Sequence, residues 1–186
     1  MPTASSADLR SAQRVLCHGV TGSGKSTAAT RLGEVLGLPV HLVDDEIGWL
    51  PEWTQRPADE QHQLAAELAE TEYWVVDSAY RSWSDVILAR AQVIVALDYS
   101  RPLTLGRLLR RTAARILRRY RVCNGNIETL ARALGPESIL LWHHRSFHRK
   151  RARLRTWQAA ADGPAVLRLA QPADFDRLLD ELAARR

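Results

Sequence analysis

Gly19-Val20-Thr21-Gly22-Ser23-Gly24-Lys25-Ser26, with Thr27 directly after it, is the stretch on which the rest of the chain turns. The apolar run Val15-Leu16-Cys17-His18 precedes it, and a helical pattern over Lys25–Leu36 follows, closed by Gly37 and Pro39 in the usual stop order. The spacing is G-x-x-x-x-G-K-[ST] between a strand and a helix. Glycines let the backbone wrap until successive N–H groups point inward at an anion, and the start of the helix adds its partial positive charge. In such a loop Lys25 reaches the β and γ phosphates, and Ser26 offers its hydroxyl to Mg²⁺. Lysine occurs elsewhere only at Lys150, so its place here does not reflect general abundance. The pattern alone arises by accident in roughly one chain per hundred of this length. The contacts expected for a Mg-ATP triphosphate are therefore Gly19, Thr21, Gly22, Ser23, Gly24, Lys25, Ser26 and Thr27.

Outward from the loop, short runs rich in β-branched residues alternate with longer helical patterns, which predicts βαβ units and a parallel sheet covered on both faces. The strands fall at 14–18, 39–43, 73–77, 92–98 and 165–169. The expected fold is a three-layer α/β P-loop NTPase fold with a five-stranded parallel sheet of order 2-3-1-4-5 and an Arg-rich helical lid. Residues 1–186 are expected as a single domain. Within it, 1–11 are a frayed tail, 46–72 an acceptor-side helical insert, and about 107–155 the lid region. After the fourth strand, Leu105, Leu108, Leu109, Thr112 and Ile116 keep helical spacing and predict the buried stripe of that helix. Gly125 and the Gly135-Pro136 pair read as hinges, with VCNGN as a turn inside the lid.

Phosphoryl transfer also needs a carboxylate near the metal and a group that orients the acceptor. Asp77 ends the third strand, which the expected order places beside the loop strand, so it and Ser26 are the expected metal-side pair. Asp44 and Asp45 end the second strand at the same carboxyl edge; Asp45 is the expected acceptor-side base and Asp44 the structural one. Arginine's planar fork suits the charge of a transferring phosphoryl group, and Arg107 and Arg111, one helical turn apart, are the expected lid contacts. Trp49 and Arg56 in the insert are candidate acceptor contacts. The remaining tryptophans fit core packing. His143, His144 and His148 lack a carboxylate or thiolate nearby and are crowded by arginines, which argues against a Zn²⁺ site.

Among the totals, the 186 residues suffice to bury about 70% of the unfolded surface. The two cysteines, Cys17 and Cys123, form no framework, which fits a reducing cytoplasm. No apolar run reaches the roughly 20 residues that span a bilayer. The net charge of +5 is concentrated in two acid-free blocks, 99–127 and 138–161, that would attract polyanions.

Together these residues resemble the P-loop kinase group that contains adenylate kinase. More closely they resemble a bacterial family named for DNA topology modulation (FlaR-like) proteins. The closer resemblance covers most of the chain. It rests on GSGKST at 22–27, on Asp45 followed by Trp49-Leu50-Pro51-Glu52-Trp53, on Trp74-Val75-Val76-Asp77-Ser78-Ala79-Tyr80, and on LDYSRPLTLGRLLRR after the fourth strand. The family usually carries Gly-Asn where this chain has Ser78-Ala79. Adenylate kinases carry D-G-F-P-R at the end of the same strand, and Asp77 and Arg81 keep that spacing; the resemblance implies that Arg81 contacts an acceptor's phosphate. It also implies that the loop at 170–173 lies where relatives cradle adenine with backbone groups.

The expectation is an ATP-dependent phosphotransferase whose acceptor is a small molecule, a nucleoside or nucleoside monophosphate being the first guess. Two alternatives stand beside it. One is a nucleotide-regulated nucleic-acid binder using the arginine blocks, whose affinity would fall steeply with salt. The other is a P-loop ATPase with no small acceptor.

Overall fold

The computed structural model describes residues 3–184, so Met1 and Pro2 of the expected tail lie outside the described residues. The remainder of that tail is not frayed. Thr3 bridges to Val166, and Ser5 caps helix α1 (Ser6–Ser11) in a capping box with Asp8 that seats Leu9 in the core with no exposure. Strand β1 (Arg14–Gly19) then leads through the glycine loop into α2 (Lys25–Leu36), which stops at Gly37 in the left-handed region (φ 70°). The second strand is shorter than its apolar run predicts. β2 covers only Val40–His41, because the chain turns at Val43 into a one-turn π-helix, Asp44–Gly48, and then a short 3₁₀ turn, Pro51–Trp53.

Helix α3 (Ala58–Glu70) completes the 46–72 segment, and β3 (Trp74–Val76), α4 (Ser84–Arg90) and β4 (Val93–Leu97) follow. The Arg-rich region is α5 (Arg101–Arg118), a hairpin of β5 (Arg121–Val122) and β6 (Asn126–Ile127), α6 (Leu130–Leu134) and the long α7 (Ile139–Ala159). The chain closes with β7 (Ala165–Leu169) and α8 (Pro172–Ala183).

The main sheet is parallel throughout, in the order β2-β3-β1-β4-β7. This is the expected 2-3-1-4-5 order; the fifth strand is numbered seventh only because the small hairpin intervenes. Alternation along β1 serves two cores. Val15 and Cys17 pack with Ala28, Ala29 and Leu32 of α2 and with Phe175, Leu178 and Leu182 of α8. On the other face, Leu16 packs with Val76, Ile94, Ile87, Trp83 and Leu154. Each fully buried Leu or Ile contributes about 1.5–3 kcal/mol, so the two faces hold the sheet rigid beneath its carboxyl edge. The register pairs Gly19 with Leu97 and Leu16 with Val76, which brings the ends of β1, β3 and β4 to one edge.

Helix α5 buries Thr104, Leu108 and Thr112, while Leu109 is 47% exposed. The predicted stripe is thus rotated toward a polar position. Thr104 is tolerated inside because its hydroxyl meets Nε2 of the buried His143 on α7 at 3.0 Å and the carbonyls of Ser100 and Arg101. Among the described residues no helix is long and apolar enough to cross a membrane.

Candidate functional site

The loop between β1 and α2 is built on backbone that a side chain would obstruct. Gly22 lies at φ 83°, and a Cβ there would stand 2.3 Å from the carbonyl oxygen of Thr104 on α5. Gly24 lies at φ 94°, and the nearest atom to a Cβ there is an Arg107 guanidinium nitrogen 3.8 Å away. Arg107 donates to the carbonyl of Ser23 over 3.2 Å and lies over the ring of Tyr99. The Ser23 side chain is buried, and its hydroxyl has no partner among the described residues. Thr21 is half-buried in the loop and Thr27 is exposed in the first turn of α2.

Lys25 is the main charge in this cradle. Its Nζ donates to the carbonyl of Val20 at 3.3 Å, and among the described residues it forms no ion pair. Burial lowers its pKa below the ordinary lysine value, and Asp77 and Asp44 only partly offset that. A buried ammonium without a carboxylate at contact distance is strongly suited to an incoming anion.

Ser26, next in the chain, donates its hydroxyl to Asp77 Oδ2 over 2.5 Å, and Asp77 Oδ1 accepts from the amide of Val43 at 3.0 Å. Burial raises the Asp77 pKa above the usual carboxylate value, against the lowering effect of these two hydrogen bonds. The hydroxyl and carboxylate are hard oxygen donors side by side, the ligand type Mg²⁺ selects. The donor set therefore fits that ion.

On the neighbouring edge the two aspartates are turned differently from the expectation. Asp45 Oδ1 accepts from the amide of Asn124 at 3.2 Å, and the Asn124 side chain donates to the carbonyls of Asp45 and Trp49. Asp44 accepts from the Tyr80 hydroxyl, and its charge acts on Lys25, Asp77, Arg111 and Lys150. The π-turn puts Asp44 toward the loop and Asp45 toward the hairpin, a one-residue difference that adjacency in the sequence does not reveal.

Arg111 sits near Arg115, Asp44 and Glu128, one turn beyond Arg107. Trp49 and Trp53 meet edge to face at 5.6 Å, and Arg132 of α6 lies 4.5 Å above Trp53. Trp53 also donates from its backbone to Asn126 and from Nε1 to the Ile127 carbonyl, so the insert is sewn to the hairpin. Arg56 pairs with Glu60 on α3, and its Nε is buried without a partner. Arg81 is exposed on the loop after β3, within electrostatic reach of Arg153.

Part of the basic surface is committed to structure. Asp98 holds Arg151 through two bonds and also Arg168, joining β4, α7 and β7, and Arg101 meets His144 at 2.6 Å. His143 is enclosed, and among the described residues no group of three or more His, Cys, Asp or Glu side chains could hold a metal. Not all tryptophans are core: Trp74 and Trp83 are fully enclosed, whereas Trp142 is 47% exposed beneath Arg149. The amides of Ala170 and Gln171 are occupied by Asp174 at the start of α8. Asn124 and Lys150, which the structure brings close to these residues, carry no motif in the sequence; the rarity of lysine is the one available signal.

A five-stranded parallel sheet of this order, flanked by helices and carrying the glycine loop at the end of its central strand, is the fold of the P-loop kinases. The solved structures the chain resembles include shikimate kinase from Acinetobacter baumannii in complex with shikimate. That match has a TM-score of 0.58 and 17% identity and covers 97% of this chain and 96% of that one. Shikimate kinase from Aquifex aeolicus matches with TM-score 0.53, 16% identity, and 92% and 94% coverage. A sugar kinase from Janibacter sp. matches with TM-score 0.51, 19% identity and 92% coverage of each chain. No protein-family model matches the chain, and no curated protein matches it.

Proposed function

We propose that the protein is an ATP-dependent phosphotransferase acting on a small acceptor. The observation that carries this reading is the half-buried Lys25 ammonium, whose one hydrogen bond among the described residues goes to the Val20 carbonyl, beside the Ser26–Asp77 oxygen pair. A site with a cation in no ion pair among the described residues, a glycine loop at the start of a helix and two hard oxygen ligands complements a triphosphate and its metal. Lys25 and the loop glycines would hold the phosphates, and Arg107, already fixed to the loop backbone, would meet their charge from α5. Ser26 and Asp77 would hold Mg²⁺, which when bound would supply neutralisation of the phosphate charge.

The acceptor would lie over the ends of β2 and β3. There Asp44, steadied by Tyr80, would orient its hydroxyl, with Arg81 free to take a negative substituent. Asp45 keeps its second oxygen for the acceptor while it anchors the hairpin. Arg111 and the Arg-rich elements would exclude water when closed.

The resemblance of the fold to sugar, gluconate and shikimate kinases supports a small hydroxyl compound as acceptor, and the W-x-P-x-W element supports kinship with the topology modulation family. A nucleoside or nucleoside monophosphate remains our first choice. Free Cys17 and Cys123 suit a cytoplasmic setting. The deciding experiment measures ADP release from Mg-ATP with nucleosides, nucleoside monophosphates, sugars, sugar acids and shikimate. One compound is expected to accelerate it, and Lys25→Ala is expected to abolish that turnover with an unchanged circular-dichroism spectrum. ADP release by Lys25→Ala at the native rate would reject the assignment.

A further inference from the structure

Lys150 is the second of the chain's two lysines among 26 basic residues, and the fold carries it to the first. It sits on α7, where its own carbonyl accepts a hydrogen bond from His18 Nε2 on β1 at 3.1 Å. With His18, Gly19, Val20 and Asp98 it lines a small recess at the root of the phosphate loop. Lys25 is its strongest charged neighbour, followed by Asp44 from the π-turn and by Arg153 and Arg149 on α7 itself.

Neither carboxylate in the vicinity answers it at contact distance. Asp44 already takes the Tyr80 hydroxyl, and Asp98 is occupied by Arg151 and Arg168. Among the described residues the Lys150 ammonium has no hydrogen bond and no ion pair, and burial together with Lys25 lowers its pKa to about 7. Two half-buried amines of the same sign, with one engaged carboxylate near both, leave a deficit of negative charge at this spot. A polyanion removes that deficit. Arginine, used everywhere else, could not shed its proton to relieve the repulsion when the site is empty.

We propose that Lys150 is a second phosphate-binding cation of this site, reaching a nucleoside triphosphate from α7 while Arg107 reaches it from α5. The role rests on the reading of residues 19–27 as a phosphate loop. A bound polyphosphate draws a proton onto the amine, so binding consumes protons on the alkaline side of neutrality. Lys25 from α2 and Asp44 tune the same equilibrium, with Arg149 and Arg153 opposing protonation; His18 from β1 stays neutral, and Asp98 from β4 is neutralised by its two arginines.

The test is calorimetric titration with Mg-ATP at about pH 8 in two buffers of different ionisation enthalpy, which counts protons taken up per nucleotide bound. Three proteins are compared: the native chain, Lys150→Met and Lys150→Arg. The Met variant is expected to bind about tenfold more weakly or worse and to take up measurably fewer protons. The Arg variant is expected to stay within about threefold of the native affinity with the same loss of proton uptake, which separates a charge role from a packing role. A Lys150→Met protein that matches the native chain in affinity and proton count overturns the proposal and leaves the phosphate loop standing. Absence of Mg-ATP binding by the native chain removes the loop reading itself, and Lys150's role with it.

Discussion

Ser26 and Asp77 share a 2.5 Å hydrogen bond that ties the first turn of α2 to the end of β3. Through its other oxygen Asp77 also holds the amide of Val43, where β2 turns away from the sheet. One carboxylate thus joins the glycine loop to the end of β2. It does so from a buried position where its charge is disfavoured, a state that a divalent ion would relieve.

Asp77→Asn keeps the shape and the bond from Val43 but removes the charge. The ligand-free variant is expected to melt no more than about 2 °C below the native protein, because the lost charge was the costly form. Mg²⁺ should cease to strengthen ATP binding, with affinities in Mg²⁺ and in EDTA agreeing within about twofold. Binding titrations with and without the metal check this, and a full metal effect in the variant would take Asp77 out of the site.

Gly22 and Gly106 provide a matched pair. An alanine at Gly22 would meet the Thr104 carbonyl at 2.3 Å on a backbone at φ 83°, so Gly22→Ala should cost about 2 kcal/mol or more. Gly106 lies inside α5 with nothing near its absent Cβ, so Gly106→Ala should gain roughly 0.5–1 kcal/mol. Urea denaturation of both measures the difference. Equal effects would mean that α5 does not pack against the loop as described.

How far the sequence could be read depended on whether the signal was local. Strands β1, β3 and β4 were plain because strands buried on both faces show as apolar runs, and α2 was plain because Gly37 and Pro39 stop it. The capping pair Ser5 and Asp8 was visible in the chain, yet a single buried leucine, Leu9, gave α1 no amphipathic pattern to announce it. On α5 the expected Leu108 and Thr112 are buried, but Thr104 replaces Leu109 inside, where local carbonyls and His143, far along the chain, satisfy its hydroxyl. The different facing of Asp44 and Asp45 and the approach of Lys150 to Lys25 depend on a π-turn and on a long-range crossing, neither of which leaves a periodic trace.

Asn124 is the latch between the hairpin and the acceptor edge, with bonds to Asp45 and Trp49 from a backbone at φ 62°. Asn124→Ala removes the two side-chain bonds and is expected to lower global stability by only about 1–2 kcal/mol. Amide exchange at 120–128 should accelerate by an order of magnitude or more, because the hairpin then opens without unfolding the sheet. Hydrogen-exchange mass spectrometry reads that directly. Unchanged protection of the hairpin would show that Trp53 and Asn126 hold it alone.

His18 provides the clearest pH signature. Burial against Trp157 pushes its pKa from 6.5 down to about 3, against the opposing effect of the bond that Nε2–H donates to the Lys150 carbonyl. The folded chain therefore binds fewer protons here than the unfolded chain between those two values. Stability is full above about pH 6.5 and falls as pH drops toward 3, by about 1.4 kcal/mol per pH unit. Buried His143, whose pKa is also lowered, adds a contribution of the same sign. Between pH 7 and 5 the native protein should lose about 2 kcal/mol through His18 alone, and His18→Leu should lose correspondingly less, whatever its stability at pH 7. Urea midpoints of both proteins at the two pH values give the comparison, in which the carboxylates common to both cancel. Parallel losses would mean that His18 titrates normally in the folded chain and that α7 does not close over the end of β1.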